Sequence, residues 1–284
     1  MAASEAAGTG ARGHGGTEAR GHGGTEARGH GGTGARVLVE VSGGVATLTL
    51  NRPDKRNALD RRMIAELTAA LTRCDLAADV RVIALRAAGQ DFCAGLDLEE
   101  LLASADLTPE DNERRAMELG ALFLTLRELP KVSVAVVAGR ALAGGCGLAT
   151  ACDLVVAKAG TQFGYPEIQR GFVPAMVMTM LRRSVGEKVA FDLAATGRLV
   201  TGEEAEQLGL ISRLMPAEDF EGDVTTLLAQ LAASSPSALA LIKRQLHQVE
   251  ELGFEAGVTL GARVNALART TPEFRKSLEA FLQK

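Results

Sequence analysis

The feature that most constrains this chain is a series of short, nearly all-apolar runs set between helical stretches. They are VRVIALRA at 80–87, VSVAVV at 132–137 and DLVVA at 153–157. A strand that is apolar on both faces has to be covered on both faces, as a parallel strand between helix layers is. The intervening stretches read as helices. Asp60 is placed to N-cap one that runs to about Cys74, with Met63, Leu67 and Leu71 on one face. Thr108-Pro109-Glu110 starts another, with proline in its first turn, that runs to about Glu128 and stops before Pro130. This alternation predicts an α/β fold with parallel pairing.

Ahead of the first run, VLVEV and VATLTL alternate with period two around Ser42-Gly43-Gly44 and predict a β-hairpin beginning at Val37. Short helices are expected at 98–102 and about 146–152. From Pro174 onward the pattern is almost wholly helical. Thr201-Gly202-Glu203-Glu204 reads as a capping box and Gly209 as a C-cap. Three divisions follow: a Gly/His-rich tail at 1–36, a core at 37–215 and a C-terminal helical region at 216–284. The tail repeats ARGHGGTE from residue 11 and carries His14, His22 and His30. It has no Leu, Ile, Val or Phe between 11 and 36, so it offers nothing to bury against the entropy of ordering and is expected to be disordered.

Composition removes several function classes. Net charge is −4 and no run of Lys or Arg exceeds two residues, so the basic footprint of a nucleic-acid binder is missing. No apolar run reaches the roughly 18 residues of a membrane span. Cys74, Cys93, Cys146 and Cys152 lack paired metal spacing; no metal site is expected, and reduced thiols point to the cytoplasm. The G-x-G-x-x-G matches, at 8–13 and 29–34, precede any strand, and G-x-S-x-G is absent. His247, the fourth histidine, lies in a helical pattern and reads as a surface residue, so histidine is not expected to be the catalytic base.

Three stretches carry candidate chemistry. FCAGLDL at 92–98 follows an apolar strand and opens a short helix. Gly95 lets the chain turn, and the Leu96 N–H is left free at the helix start. AGRALAGGCG at 138–147 repeats the design, and Gly144 can offer its N–H where a side chain would block a ligand; close helix–strand packing would select glycine equally. Two converging N–H groups are what an enolate oxygen needs. FGYPEI at 163–168 places Glu167 before a mostly apolar stretch. There its carboxyl is either partly desolvated with a raised pKa, or a helix-start glutamate facing water.

In this order, these stretches resemble the crotonase superfamily of enoyl-CoA hydratases and isomerases. The similarity covers 37–284. LNRPDKRNAL at 50–59 is similar to the family's early coenzyme A loop, residues 92–97 and 144–149 to its two oxyanion turns, and 163–167 to the segment bearing a catalytic glutamate. The resemblance implies a spiral of ββα units with C-terminal helices that build a trimer, often paired into a hexamer. It implies oxyanion donors at Leu96 and Gly144 and an acid/base at Glu167. Contacts to coenzyme A would come from Lys55, Arg56, Ala58, Ala94, Leu96, Asp97, Leu98 and Glu99. The substrate would be an acyl-CoA thioester of the kind met in fatty-acid β-oxidation, with coenzyme A as part of the substrate and no separate cofactor.

The sequence departs from that pattern at two places. Two-glutamate hydratases of the resembled family carry their other glutamate where this chain has Gly147. Where many members have a glycine-rich stretch, this chain has Pro174-Ala175-Met176-Val177-Met178, which makes one acyl-pocket wall bulkier. Asp97 and Asp153 are expected to cap elements and not to replace the missing carboxylate. Hydration of 2-enoyl-CoA uses two carboxylates comfortably, while moving a proton between C2 and C4 needs one. The joint expectation is a hydratase/isomerase, with a catalytically silent coenzyme A-binding or scaffold protein as the rival.

Overall fold

The computed structural model describes residues 28–30 and 34–283. The chain opens with three strands, β1 (Arg28–His30), β2 (Val37–Ser42) and β3 (Val45–Leu50). Helix α1 (Arg61–Leu76), strand β4 (Val82–Ala87), helices α2 (Leu98–Ala103) and α3 (Pro109–Glu128) and strand β5 (Val132–Val137) follow. Next come β6 (Arg140–Leu142), α4 (Gly144–Thr150), β7 (Leu154–Lys158) and β8 (Gln162–Gly164). The remainder is α5 (Val177–Ser184), α6 (Glu187–Thr196), β9 (Leu199–Thr201), α7 (Gly202–Gln207) and β10 (Arg213–Met215). It ends with α8 (Phe220–Ala233), α9 (Pro236–Val249), α10 (Phe254–Ala268) and α11 (Pro272–Leu282).

The main sheet has the order β1-β2-β3-β4-β5-β7-β10, and every pair from β3 to β10 is parallel. Its middle strands are apolar on both faces because both faces are covered. Ile83, Leu85, Ala135 and Val137 face one core with α1, α3 and α4. Val82, Ala84, Val132, Val134 and Val136 face the other, against Phe220, Val224, Leu227 and Leu228 of α8. Helix α1 buries Met63, Ile64, Leu67 and Leu71 at helical spacing, and the Asp60 side chain accepts from Met63 N–H at 2.7 Å. Each such fully buried aliphatic side chain contributes about 1.5–3 kcal/mol.

Three expectations need correction. Most of the octad tail lies outside the described residues, but residues 28–30, expected to be disordered, pair antiparallel with β2. An edge strand is held by backbone hydrogen bonds and needs no apolar side chain. The stretch after Pro174 is almost wholly helical, as expected, with only the three-residue strands β9 and β10 within it. Burial also ignores the boundary at 215: α8 covers a whole sheet face, and Lys243 of α9 reaches in to Asp153 at 2.8 Å. Finally, Thr201 caps α7 through Glu204 N–H at 3.3 Å, but the Glu204 carboxylate pairs with Arg198 and does not close the box.

A second, three-stranded sheet, β6-β8-β9, stands beside the main one. Its strands are three residues each, too short to show a period in the sequence. It sets the site, because β6 and β8 run parallel with Leu142 opposite Gly164.

Candidate active site

The first turn leaves the main sheet after β4 and runs through buried Phe92 and Cys93. Gly95 adopts φ +96, and a Cβ built on it would lie 2.8 Å from Ala143 Cβ and 3.2 Å from Gly144 N. Only glycine combines that conformation with that approach. The second turn follows β5. Cys93 N–H donates to Arg140 C=O at 3.1 Å and Leu142 N–H to Cys93 C=O at 2.9 Å, so the two turns are laced together as one unit. Ala143 has φ 51 and ψ −126, a conformation costing a non-glycine residue about 1–3 kcal/mol. Its own N–H is held by Gly164 C=O at 2.8 Å.

This geometry separates the two adjacent glycines. A Cβ on Gly145 overlaps the Cys93 carbonyl and lies 2.6 Å from Cys93 Cβ, so Gly145 is glycine for packing. A Cβ on Gly144 meets nothing nearer than Leu96 N at 3.6 Å. Gly144 therefore packs in ordinary contact against the Gly95–Leu96 turn, next to the Leu96 amide, and a methyl group there would meet no clash. Among the described residues neither the Leu96 nor the Gly144 N–H has a hydrogen-bond acceptor.

Glu167 approaches from the small sheet. Three residues beyond the Leu142–Gly164 register, it lies in the 3-10 turn Pro166–Arg170, anchored by wholly buried Phe163 and Tyr165. The Glu167 side chain is half-buried, and its Oε2 is enclosed without a partner. Burial pushes its carboxyl above the usual range, offset in part by its own backbone N–H and the Arg170 charge. Its charge adds a small upward push to the enclosed thiol of Cys146 on α4. Burial pushes the Cys93 and Cys146 thiols up to about 12, so both stay protonated and neither acts as a nucleophile at neutral pH.

On the side of residue 147 the site is closed. A Cβ on Gly147 overlaps Val177 Cγ1, lies 2.8 Å from Val177 Cβ and 3.5 Å from Phe123 Cζ.

The expected coenzyme A residues form one rim. Ala94 N–H donates to Arg56 C=O at 3.0 Å, Leu59 N–H to Gly95 C=O at 2.8 Å and Asp97 N–H to Leu59 C=O at 3.0 Å. This joins Ala58 and its neighbours to the oxyanion turn. Lys55 is exposed and pairs with Glu99 at 2.8 Å, and Arg56 and Leu98 are exposed beside it. Asp97 differs: its Oδ1 caps Glu99 N–H at 2.9 Å and its Oδ2 takes Arg52 Nη1 at 2.6 Å, so its carboxylate is committed to the fold. Burial alone would raise that carboxyl, but Arg52 and the helix-start N–H groups bring it below its usual range. Asp153 is likewise occupied, by Ser133 and Lys243. His247, expected on the surface, is half-buried on α9. No cluster suited to a metal occurs among the described residues.

A family model described as enoyl-CoA hydratase/isomerase matches residues 40–284. The chain belongs to the enoyl-CoA hydratase/isomerase family. A Thermus thermophilus relative that carries an enoyl-CoA hydratase name is 40% identical over 87% of this chain and 98% of its own. The 2,3-dehydroadipyl-CoA hydratase of Escherichia coli K12 is 34% identical over 84% and 92%. The crystal structure of an enoyl-CoA hydratase from Mycobacterium smegmatis superposes with a TM-score of 0.83 at 31% identity, covering 87% of this chain and 96% of that one.

Within this enoyl-CoA hydratase/isomerase fold, the predicted amide pair adjoin at the start of α4, and Glu167 follows β8, the strand that pairs with β6 ahead of that helix. Sequence reasoning missed three supports. Arg52 is buried between Asp97 and Asp60. Asn57, fully buried at φ 54, holds Arg52 N–H, Ala88 C=O and Asp91 C=O with its side chain. Asparagine tolerates the left-handed region, a signal present in the loop. Val177 lies in the stretch expected to thicken one pocket wall, but its contact with Gly147 is set only by the tertiary packing.

Proposed function

We propose that this family member binds an acyl-CoA thioester, holds its enolate oxygen between the Leu96 and Gly144 N–H groups, and moves a proton with Glu167. The observation that carries this is the 3.6 Å from a Cβ built on Gly144 to Leu96 N, which puts two acceptorless amides beside one another. Preorganised donors of this kind stabilise charge as it develops, and each contributes about 10²–10³ in rate. A desolvated glutamate with a raised pKa is suited to taking and returning a proton near neutral pH. Lys55 and Arg56 are proposed to meet the phosphates, with Ala58, Ala94 and the Leu96–Glu99 rim along the coenzyme A moiety.

The reaction proposed is isomerisation of 3-enoyl-CoA to 2-enoyl-CoA. Glu167 would take a proton from C2 and return it at C4, and the packed Gly147 wall leaves no second carboxylate to activate water. Hydration of 2-enoyl-CoA by Glu167 and a positioned water is the second reading, favoured by the hydratase names of the relatives. Incubation with 2-enoyl-CoA and 3-enoyl-CoA in heavy-oxygen water separates them. Label-free 2-enoyl product from the 3-enoyl substrate supports isomerisation, and label in a 3-hydroxyacyl product supports hydration. Turnover that survives Glu167→Gln would overturn the role of Glu167; no turnover at all would leave a coenzyme A-binding protein.

Helices α10 and α11 bury no residue, yet carry Phe254, Val258, Leu267, Phe281 and Leu282 exposed. This supports self-association through them, with a trimer or a paired trimer as the proposed assembly. The four cysteines are buried and free, which fits the proposed cytoplasmic location.

A further inference from the structure

The place beside Gly147 is filled, not just vacated. Residue 147 lies one turn after Gly144 on α4, so a side chain there would lean back over the turn that presents the Gly144 N–H. Val177 takes that space from α5, is 4% exposed, and stands over Gly147 together with Phe123. Its neighbour Met176 extends the wall toward α3, where a Cβ on Gly120 would meet Met176 Sδ at 3.6 Å. All the groups named on this wall are apolar. A water held there would lack the two to four polar partners that a buried water needs.

We propose that Val177 is a specificity-determining residue: it fills the place of a second carboxylate, keeps that wall dry and directs a bound enoyl thioester toward proton migration instead of addition of water. The proposal rests on the single-carboxylate function proposed for Glu167. Hydration of a 2-enoyl thioester forms a C3–O bond and a C2–H bond and breaks one O–H bond of water. One proton leaves the attacking water, one is delivered to C2, and the water's other proton stays in the 3-hydroxyl, so a second carboxylate helps by holding and activating that water while the first delivers the proton. Isomerisation consumes no water. The C2 proton passes to Glu167, the electron pair moves to the carbonyl oxygen as the enolate, and the proton returns to C4 as the double bond settles between C2 and C3.

The test compares wild type, Val177→Thr, Gly147→Glu and the exchange of Gly147→Glu with Val177→Gly. Each receives 2-enoyl- and 3-enoyl-CoA in heavy-oxygen water, and the ratio of labelled 3-hydroxyacyl to label-free 2-enoyl product is measured. Wild type is expected to show a low ratio. Val177→Thr keeps the volume and adds a hydroxyl, so the ratio rises several-fold. The exchange raises it by about 10²-fold, the contribution of a positioned carboxylate. Gly147→Glu alone does not raise it, because Val177 blocks the new side chain. The proposal is overturned if Val177→Thr leaves the ratio unchanged, or if Gly147→Glu alone hydrates as well as the exchange does. Should the exchanged protein not fold, the near-isosteric Val177→Thr decides. Wild-type protein inert toward both substrates would instead sink the proposed function of Glu167 and the amides.

Discussion

The surroundings of Glu167 and those of Gly147 are built on opposite principles. In the first, Glu167 keeps a buried carboxylate oxygen without a partner. In the second, Val177 and Phe123 pack so closely on Gly147 that no side chain fits there. A chain shaped by stability alone would pair or remove the lone carboxylate, since an unsatisfied buried charge is costly. The contrast teaches where chemistry is kept: the wall that is poorly satisfied in the free protein is the wall proposed to act on substrate, and the well-packed wall limits what that action can be.

The largest effect expected on breaking the contrast is at Glu167. Glu167→Gln should lower turnover of enoyl-CoA by about 10²–10⁴-fold in a steady-state assay. The same change should raise the melting temperature at pH 7. The sign follows from the raised pKa: the folded state favours the protonated form, so wild-type stability falls as pH rises from the ordinary glutamate value through the folded one. The melting difference between wild type and Gln should therefore shrink as pH drops below about 4.5. A difference that grows on acidification would contradict a desolvated Glu167.

Next in size are the adjacent glycines. Gly144→Ala puts a methyl group into the space beside the Leu96 amide, and kcat/KM should fall by about 10²-fold with little change in melting temperature. Gly145→Ala drives a methyl group into the Cys93 carbonyl, and should lose about 1–3 kcal/mol of stability in denaturant unfolding. If the two variants behave alike, the separation of an access glycine from a packing glycine is wrong. The smallest effect is expected on the rim. Lys55→Ala removes one exposed charge, and should raise KM by roughly fivefold with kcat unchanged, less at high salt.

The sequence made the large pattern legible and hid the fine one. The apolar runs at 82–87 and 132–137 announce covered parallel strands because period and length are local properties. The sheet β6-β8-β9 stayed hidden because three-residue strands are defined by their partners. Leu96 and Gly144 were legible through strand-then-glycine spacing reinforced by the family resemblance. Which of Gly144 and Gly145 serves access, and which serves packing, depends on Cys93 across the turn and is set only in three dimensions. Val177 is the clearest case. The bulky stretch 174–178 drew attention in the sequence as a thicker wall, but the meaning of Val177 comes from the glycine it covers.

The most direct test of the central claim is a crystal structure of the protein with an enolisable 3-ketoacyl-CoA bound. The prediction is a thioester oxygen within about 2.7–3.1 Å of both Leu96 N and Gly144 N, with the Glu167 carboxylate against C2. A thioester oxygen held by one amide alone, by water or by neither, or a Glu167 side chain turned away from C2, would contradict it.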